Sequence, residues 1–231
     1  MKGRTWSVPH GPLDLKSGEI HLWRVDLNQE GRNALSGLEG TLSADELAKA
    51  GGFRSERDRN RYVLAHGALR TILARYLKTT PGEPVFRYGP KGKPELANRA
   101  NRGVRFNLSH SHDLVLCAIS RAGHVGVDVE RVRPGVEKDV AACLSPAALG
   151  VLEALPPAER RRAFYQGWTR MEAYSKARGE GLESGLETFE VFLGEQPRRR
   201  CLHDLFPGTG YVGALATRRG NCSLGYWKWQ A

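Results

Sequence analysis

The sequence has few cysteines, and none is paired with another at close spacing. Its four thiols stand at positions 117, 143, 201 and 222. Because no C-x-x-C pair exists, neither a zinc site nor a redox dithiol is expected. Cys117 lies in an apolar run, which predicts a buried, reduced side chain in a cytosolic protein. Thiol and zinc chemistry are therefore poor candidates for the function.

Long apolar runs are also missing. No run approaches the roughly 20 residues that a helix needs to span a bilayer. The first 23 residues contain no apolar segment followed by a small-residue cleavage site, so no signal peptide is expected. Sequence repeats, low-complexity segments and linkers rich in glycine and serine are absent too. These absences predict a soluble, cytoplasmic globular protein with no membrane contact.

Acidic residues are fewer than basic residues in this sequence. Thirty-five lysines and arginines face 25 aspartates and glutamates, which gives a formal net charge of +10 and a pI near 9.7. A basic protein attracts polyanions such as nucleic acid, acidic membranes, phosphorylated small molecules or acidic proteins. Charge alone does not choose among them. The length of 231 residues is enough for a sizeable core, in one domain or in two halves.

Hydrophobic patterning predicts an α+β fold. Strand patterns alternate apolar and polar residues or are continuously apolar, and they occur at 20–27, 104–109, 114–120, 125–130, 189–194 and 223–229. The run from 104 to 130 predicts a three-stranded meander. Two long helices are expected at 55–78 and 158–178, and Ser43 with Glu46 forms a capping-box pattern before a shorter helix.

Two acidic residues share one face of a predicted strand. Asp128 and Glu130 are two positions apart, about 6–7 Å along the backbone, while Val127 and Val129 point to the core. Carboxylates that lie side by side repel each other unless water or a cation relieves them. Taken alone, the pair is better explained as the polar face of a solvated edge strand.

A second polar stripe lies on the helix predicted at 158–178. Trp168, Glu172 and Lys176 recur at four-residue spacing and therefore share one helix face. A routine Glu–Lys pair beneath a core tryptophan gives the same pattern, and the stripe alone favours that interpretation.

Two further segments carry groups that suit phosphate. His110 follows Ser109 in FNLSHSHD, and Lys93 precedes Pro94 in the rigid turn PKGKPEL. Either the imidazole or the ammonium could donate to a phosphate oxygen. Each by itself is better explained as a solvated surface residue.

Taken together and in order, these blocks resemble a known family. A basic helix is followed by G-K-P-E-L, F-N-L-S-H-S, G-V-D-V-E and W-T-x-x-E-A-Y-x-K-x-x-G-x-G-L. Their order and spacing are similar to the surfactin-synthetase-activating type of 4'-phosphopantetheinyl transferase, a holo-[acyl-carrier-protein] synthase activity. The resemblance runs from about residue 20 to residue 190.

The resemblance implies a fold and a reaction. The fold is two similar α+β subdomains in a pseudo-twofold arrangement, residues 1–105 and 106–231, each a small antiparallel sheet packed on a long helix. The reaction transfers 4'-phosphopantetheine from coenzyme A to a serine of an acyl or peptidyl carrier protein and releases adenosine 3',5'-bisphosphate. A monomer would suffice, and fatty-acid, polyketide and non-ribosomal peptide pathways all stay open as the source of the carrier.

The resemblance also implies site residues. Mg²⁺ is expected on Asp128, Glu130 and Glu172, and the catalytic residues are Glu130, Glu172 and Lys176. Six side chains are expected to contact coenzyme A: Arg54, Arg61, Lys93, Ser109, His110 and Lys176. Arg57 would be their neighbour. Carboxylates with substrate phosphates are ligands that Mg²⁺ prefers, and cations suit the phosphates of the coenzyme.

Two departures from the family pattern bear on proton transfer. Met171 and Ala148 stand where many members carry lysine and glutamate, and both changes are expected to remove groups near the reacting phosphate. The general base would then be Glu130, a metal-bound water or no side chain. The carrier is expected to dock beside residues 131–150, where five apolar side chains could contact it or could be ordinary core: Val132, Val136, Val140, Leu144 and Leu149.

Two alternative functions fit parts of the pattern. A homologue that binds coenzyme A but has lost transfer would explain Met171 and Ala148, although it has little need for three converging acids. A Mg²⁺-dependent nuclease or basic nucleic-acid binder would fit the charge and the D-x-E pair. However, no helix-turn-helix, zinc pattern or basic strand interleaved with aromatics occurs in the sequence.

Overall fold

The computed structural model describes residues 5–28, 31–89, 92–97, 103–121, 123–135, 144–179, 189–193, 201–218 and 222–231. The helices in these ranges are α1 (Gly31–Glu39), α2 (Ala44–Gly51), α3 (Glu56–Leu77), α4 (Pro146–Glu153) and α5 (Pro157–Arg178). The strands are β1 (Glu19–Asp26), β2 (Phe86–Tyr88), β3 (Pro94–Leu96), β4 (Arg105–Ser111), β5 (Leu114–Ser120), β6 (Val125–Arg131), β7 (Leu202–Leu205), β8 (Tyr211–Thr217) and β9 (Ser223–Lys228).

Helix boundaries follow local sequence signals. The Ser43 hydroxyl accepts from Glu46 N–H at 3.4 Å, and Ser43 N–H donates to the Glu46 carboxylate at 3.0 Å, so the predicted capping box of α2 is confirmed. Helix α5 starts at Pro157, where the missing N–H costs nothing. It ends at Gly179, whose φ of 77° is the left-handed conformation that glycine tolerates. Both long helices were predicted to within one residue at each end.

The first sheet has the strand order β4–β5–β1–β9. Strand β5 pairs antiparallel with both β4 and β1, whereas β9 pairs parallel with β1. Helix α3 packs on this sheet through an apolar core that contains Trp23 and Val25 of β1 and Leu69, Ile72 and Leu73 of α3. We call α3 and this sheet the first unit.

The second sheet has the order β6–β8–β7 and is antiparallel throughout. Helix α5 packs on it, with Met171 and Ala173 of the helix and Ala214 and Ala216 of β8 in one core. We call α5 and this sheet the second unit. A third core, which contains Leu22, Leu116, Val127, Val129 and Leu215, joins the two sheets.

Strands β4 and β6 are edge strands of the two sheets, and they lie side by side. Asn107 Oδ1 accepts from Val127 N–H at 2.7 Å, and Ser111 Oγ accepts from Arg131 N–H at 3.1 Å. Side chains of β4 therefore satisfy backbone donors of β6 that would otherwise be left unpaired at a buried edge. We call this contact, residues 107–111 against residues 127–131, the seam.

Several expectations about the strands need correction. The meander predicted over 104–130 is wrong, because β4 and β5 form a hairpin in one sheet and β6 starts the other. The strand predicted at 189–194 is wrong: Phe189–Phe192 is a 3₁₀ turn, and its i, i+3 spacing buries both phenylalanines. Strands β7 and β8 were not predicted.

The α+β class is confirmed, with a 22-residue helix packed on each of the two larger sheets, while β2 and β3 form a separate two-stranded sheet. The first sheet is mixed rather than antiparallel, because β9 runs parallel to β1. Strands β4, β5 and β9 lie in the same sheet as β1 although they follow or span residue 105, and the subdomain boundary stays a prediction. Within the described ranges, no helix is long and apolar enough to cross a membrane.

Candidate active site

Two acids and two serines meet across the seam. Asp128 and Glu130 lie on one face of β6, and Ser109 and Ser111 face them from β4. The Ser109 hydroxyl donates to Asp128 Oδ1 at 2.7 Å, and the Ser111 hydroxyl donates to Glu130 Oε2 at 2.7 Å. The two-residue repeat of both strands thus sets one hydroxyl against each carboxylate, and Asp128 is only 3% exposed.

Helix α5 adds a third acid and a cation. Lys176 Nζ donates to Asp128 Oδ1 at 2.6 Å and lies 3.9 Å from Glu172 Oε2. It also lies 3.3 Å from Ser109 Oγ. The helical stripe and the strand pair predicted from the sequence are therefore brought together. We call Asp128, Glu130, Glu172 and Lys176 the acid cluster.

The close approach of α5 to β6 depends on a glycine. A Cβ atom on Gly126 would lie 2.0 Å from the Ala173 carbonyl oxygen and 2.5 Å from Ala177 N, both atoms of the α5 backbone. Only a residue without a side chain allows the strand and helix to touch at this point. The contact holds Glu172 and Lys176 over the carboxylates of β6.

The described side chains neutralise the acids of the cluster only in part. Burial raises the pKa of Glu130, the hydrogen bond from Ser111 only partly offsets this rise, and the charge of Asp128 adds to it. Burial also raises the pKa of Glu172. The charge of Lys176 only partly offsets this rise, and the charges of the other two carboxylates add to it. Asp128 Oδ2 is buried and has no hydrogen-bond partner among the described residues. One ammonium among three carboxylates leaves room for another cation.

The donor set suits a hard cation that arrives with its own oxygen ligands. In the described part of the chain, no three His, Cys, Asp or Glu side chains form a ready-made metal cage. Mg²⁺ does not require one, because one or two carboxylates suffice when waters and phosphates complete its octahedron. The unpartnered Asp128 Oδ2, together with Glu130 and Glu172, offers the oxygens that such an ion would use.

A cavity of about 310 Å³ opens between α3 and the β4–β5 turn, and we call it the α3 cavity. Its wall is basic and aromatic, and it includes Phe53, Arg57, Arg61, Tyr62, His66 and His110. Desolvation lowers the pKa of His110, and the charges of His66 and Lys176 lower it further. Such a wall favours an anionic ligand that carries a flat ring or an apolar chain.

Two of the cavity residues are held in place by acidic side chains. Arg61 forms ion pairs with Asp113 and, at 3.8 Å, with Asp58. His66 Nδ1 lies 3.2 Å from Glu46 Oε1, and the His66 ring stacks on Tyr62 with centroids 4.0 Å apart. The basic wall is therefore preorganised rather than made of free surface side chains.

A second cavity, of about 410 Å³, lies at the C-terminal end of α5, and we call it the β3 cavity. Its basic wall contains Lys93, His124, Lys176, Arg178 and Arg218. Lys93 Nζ donates to the carbonyls of Val125 at 3.2 Å and Lys176 at 2.5 Å. Burial lowers the pKa of Lys93 to about 8, and Lys176 and Arg218 contribute to the drop. Lys93 thus ties the last turn of α5 to β6 as well as lining the cavity.

The structure places five of the six predicted coenzyme contacts at the acid cluster or its cavities: Arg61, Lys93, Ser109, His110 and Lys176. Arg54 is exposed in the turn before α3, whereas Arg57, three residues later, lines the α3 cavity. Trp168 is half-buried and packs against Phe164, with ring centroids 6.1 Å apart.

Met171 and Ala148 lie in a core rather than at the acid cluster, and the effect of having no lysine and glutamate at these positions stays a prediction. Both side chains are fully buried, at 0% exposure, in the apolar core of the second unit. Met171 is one residue from Glu172, a turn of about 100° around the helix, and so faces the core instead of the cluster. Ala148 N–H donates to Ser145 Oγ at 3.2 Å within the cap of α4.

The segment expected to dock the carrier is described only in part. Val136 and Val140 lie outside the described residues. Leu144 is buried, and Val132 and Leu149 pack against the same core of the second unit. For these three side chains the structure favours the core interpretation, and the docking surface stays a prediction.

Three polar residues at the site were not assigned a role from the sequence. Ser111 had a signal, since it follows Ser109 by two positions on a predicted strand and so shares its face. Asn107 and His66 had none, because their partners Val127 and Glu46 are 20 residues away in the chain. Contacts of that range depend on how the elements pack.

The chain is similar in sequence to known proteins. The family model of the 4'-phosphopantetheinyl transferase superfamily matches residues 124–214. The 4'-phosphopantetheinyl transferase HetI of Nostoc sp. is 40% identical over 196 residues, 84% of this chain and 82% of that protein. The 4'-phosphopantetheinyl transferase Sfp of Bacillus subtilis is 26% identical over 152 residues, 66% of each chain. A crystal structure of Helicobacter pylori holo-[acyl-carrier-protein] synthase in complex with coenzyme A matches 44% of this chain and 97% of that chain, with 15% identity and a TM-score of 0.34.

Proposed function

This chain belongs to the 4'-phosphopantetheinyl transferase superfamily, and from that premise we propose that it transfers the 4'-phosphopantetheine group of coenzyme A to a serine of an acyl or peptidyl carrier protein. Adenosine 3',5'-bisphosphate is the leaving product. The family resemblance found in the motifs is confirmed by the comparisons, and the choice of donor, acceptor and metal is the proposal.

The observation that carries the proposal is the acid cluster between two basic cavities. Asp128, Glu130 and Glu172 gather carboxylate oxygens at the seam, and Lys176 stands among them. Basic side chains surround this centre on both sides. A diphosphate that carries a phosphorylated nucleotide is an anionic ligand that such basic surroundings would attract.

Coenzyme A would lie between the α3 cavity and the β3 cavity, with its diphosphate at the acid cluster. Arg61 and His110 on one side and Lys93 and Lys176 on the other can donate to phosphate oxygens. Ser109 already lies between Lys176 and Asp128, at 3.3 and 2.7 Å, where it can orient both. These contacts fix the coenzyme and exclude water from the reacting phosphate.

Mg²⁺ held by Asp128, Glu130 and Glu172 would supply charge neutralisation for the diphosphate. The carrier serine hydroxyl attacks the pantetheine-side phosphorus, and the bond from that phosphorus to the bridging oxygen breaks. Lys176 stabilises the charge that develops on the transferred group. Glu130 is the side chain placed to accept the serine proton, whereas Ala148 offers no base.

The proposal includes a monomer that works in the cytoplasm. Both walls of the cleft come from one chain, so a single copy suffices. Cys117, Cys201 and Cys222 are free thiols, as expected in a reducing compartment. The net charge of +10 would favour an acidic carrier protein as the partner.

Intact-mass spectrometry tests the proposal directly. An apo acyl carrier protein and an apo peptidyl carrier protein are each incubated with the protein, coenzyme A and Mg²⁺. A gain of about 340 Da on the carrier, abolished by EDTA, is expected because the arm and its phosphate stay on the serine. No gain on several carriers, with coenzyme A still bound, would overturn the transfer and favour the alternative of a coenzyme A binding homologue.

A further inference from the structure

The two acids of β6 are held by different numbers of partners. Asp128 Oδ1 receives hydrogen bonds from Ser109 at 2.7 Å and from Lys176 at 2.6 Å. Among the described residues, Glu130 is hydrogen bonded at its side chain by Ser111 alone, at 2.7 Å. The direction of the Glu130 carboxylate therefore rests on one hydroxyl.

Ser111 is itself fixed from two sides. Its Oγ accepts from Arg131 N–H at 3.1 Å, and its residue is 7% exposed at the last position of β4. A serine hydroxyl has one proton, and the backbone donor already occupies a lone pair, so the proton is directed at Glu130. The backbone of β6 thus orients the hydroxyl that in turn orients a side chain of β6.

We propose that Ser111 is a positioning residue that orients the Glu130 carboxylate within the acid cluster, so that it can ligate the cation that enters with the phosphate substrate. The inference rests on the proposed function, because it concerns the same site. Hydrogen-bond partners of metal-binding carboxylates typically change metal affinity 10–100-fold when they are removed.

Ser145 provides a matched control outside the acid cluster. Its Oγ accepts from Ala148 N–H at 3.2 Å and donates to Glu190 Oε2 at 3.1 Å, so it joins a backbone donor to a carboxylate as Ser111 does. Neither partner belongs to the acid cluster. Replacing Ser145 therefore reports what the loss of such a hydroxyl does when Glu130 keeps its partner.

The experiment is calorimetric titration of coenzyme A into the protein at a series of Mg²⁺ concentrations. We expect Ser111→Ala to raise the Mg²⁺ concentration for half-maximal coenzyme A binding roughly tenfold. Ser111→Thr, which keeps the hydroxyl, should return the midpoint to near the wild-type value. Ser145→Ala should lower the melting temperature without moving the Mg²⁺ midpoint. If Ser111→Ala does not fold, Ser111→Cys keeps a weaker donor and should show a smaller shift in the same direction.

A double-mutant cycle separates positioning from a general structural role. In the Glu130→Gln background, Ser111→Ala should add no further shift of the Mg²⁺ midpoint, because the carboxylate it positions is gone. An unchanged midpoint in the single variant, or an equal additional shift in the Glu130→Gln background, overturns the proposal. If the wild-type protein binds no coenzyme A at any Mg²⁺ concentration, the proposed function falls, and this proposal falls with it.

Discussion

Buried carboxylates occur on α2, beside the first unit, and in the second unit, but their surroundings are opposite. On α2, Glu46 accepts from Ser43 N–H at 3.0 Å and from Arg70 Nε at 2.6 Å, and lies 3.2 Å from His66 Nδ1. Arg70 is buried beside it and also donates to the Pro84 carbonyl at 3.0 Å. In the second unit, Asp128 keeps one buried oxygen without a partner in the described structure.

The pKa values record the same contrast. Burial opposes the charge on Glu46, yet hydrogen bonds from His66 and Ser43 and the charge of Arg70 lower its pKa to about 2. Burial raises the pKa of Glu130 and Glu172, and their partners do not reverse the rise. A buried acid whose charge is neutralised and hydrogen bonded by the protein stabilises the fold. Buried acids that repel each other are typical of a ligand-binding site.

Asp128→Ala should give the largest effect. It removes the acid at the centre of the cluster, so we expect transfer to fall by at least about 10²-fold, with the fold intact. Transfer is followed by the mass gain on the carrier, and folding by circular dichroism and the melting temperature. Normal turnover by this variant would contradict the assignment of Asp128 to the site.

Glu46→Gln should affect stability instead of chemistry. It leaves the Arg70 charge buried without its partner, which typically costs about 3–5 kcal/mol of unfolding free energy. Urea unfolding measures the loss, and replacing both residues by methionine should recover part of it. At a temperature where the variant is folded, transfer should persist. A selective loss of transfer would contradict a purely structural role for Glu46.

Acid unfolding should depend on the same ion pair. Because the folded pKa of Glu46 lies near 2, below its ordinary value of 4.5, its stabilisation is complete above about pH 4.5 and disappears as the pH falls toward 2. The contribution is about 3 kcal/mol. Urea midpoints measured between pH 6 and pH 3 should fall less steeply for Glu46→Gln than for the wild type, and parallel curves would refute the assignment.

Gly126→Ala tests how closely the second unit must be packed. The added Cβ has no room against the α5 backbone, so we expect a loss of about 1–3 kcal/mol and slower transfer as Lys176 moves off Asp128. Gly37 of α1 is the control, since a Cβ there meets nothing within 4 Å. Gly37→Ala should leave transfer unchanged and keep or slightly raise stability.

Glu172→Gln should have the smallest effect on stability, and this effect should be neutral or stabilising. It relieves repulsion from Asp128 and Glu130, while its contact with Lys176 is long, at 3.9 Å. We expect a melting temperature equal to or above that of the wild type, together with slower transfer. A loss of stability as large as that of Glu46→Gln would remove the distinction between the two kinds of buried acid.

Local signals predicted much of the fold and of the site. The capping box at Ser43, the stop at Gly179 and the two-residue spacing of Asp128 and Glu130 depend on neighbours in the chain, so their consequences could be predicted. The four-residue spacing of Glu172 and Lys176 predicted their common face in the same way. The approach of that face to β6 came only from the family resemblance.

Contacts between distant segments could not be predicted. Nothing near residue 223 indicates that β9 pairs parallel with β1, and nothing near Asn107 indicates that β4 lies against β6. The phenylalanines at 189 and 192 fit a strand by composition, but burial at i, i+3 spacing favours a 3₁₀ turn. The burial of Met171 could not be predicted for a similar reason, since a family motif does not tell which face of a helix meets the core.

The pairing of β9 with β1 has a consequence for how the protein folds. Trp23 lies opposite Trp227, and Trp229 N–H donates to the Arg24 carbonyl at 2.9 Å, so the first sheet lacks its fourth strand until two distant segments of the chain have met. Pairings across so much of the chain form slowly and leave apolar surface open to chaperones meanwhile.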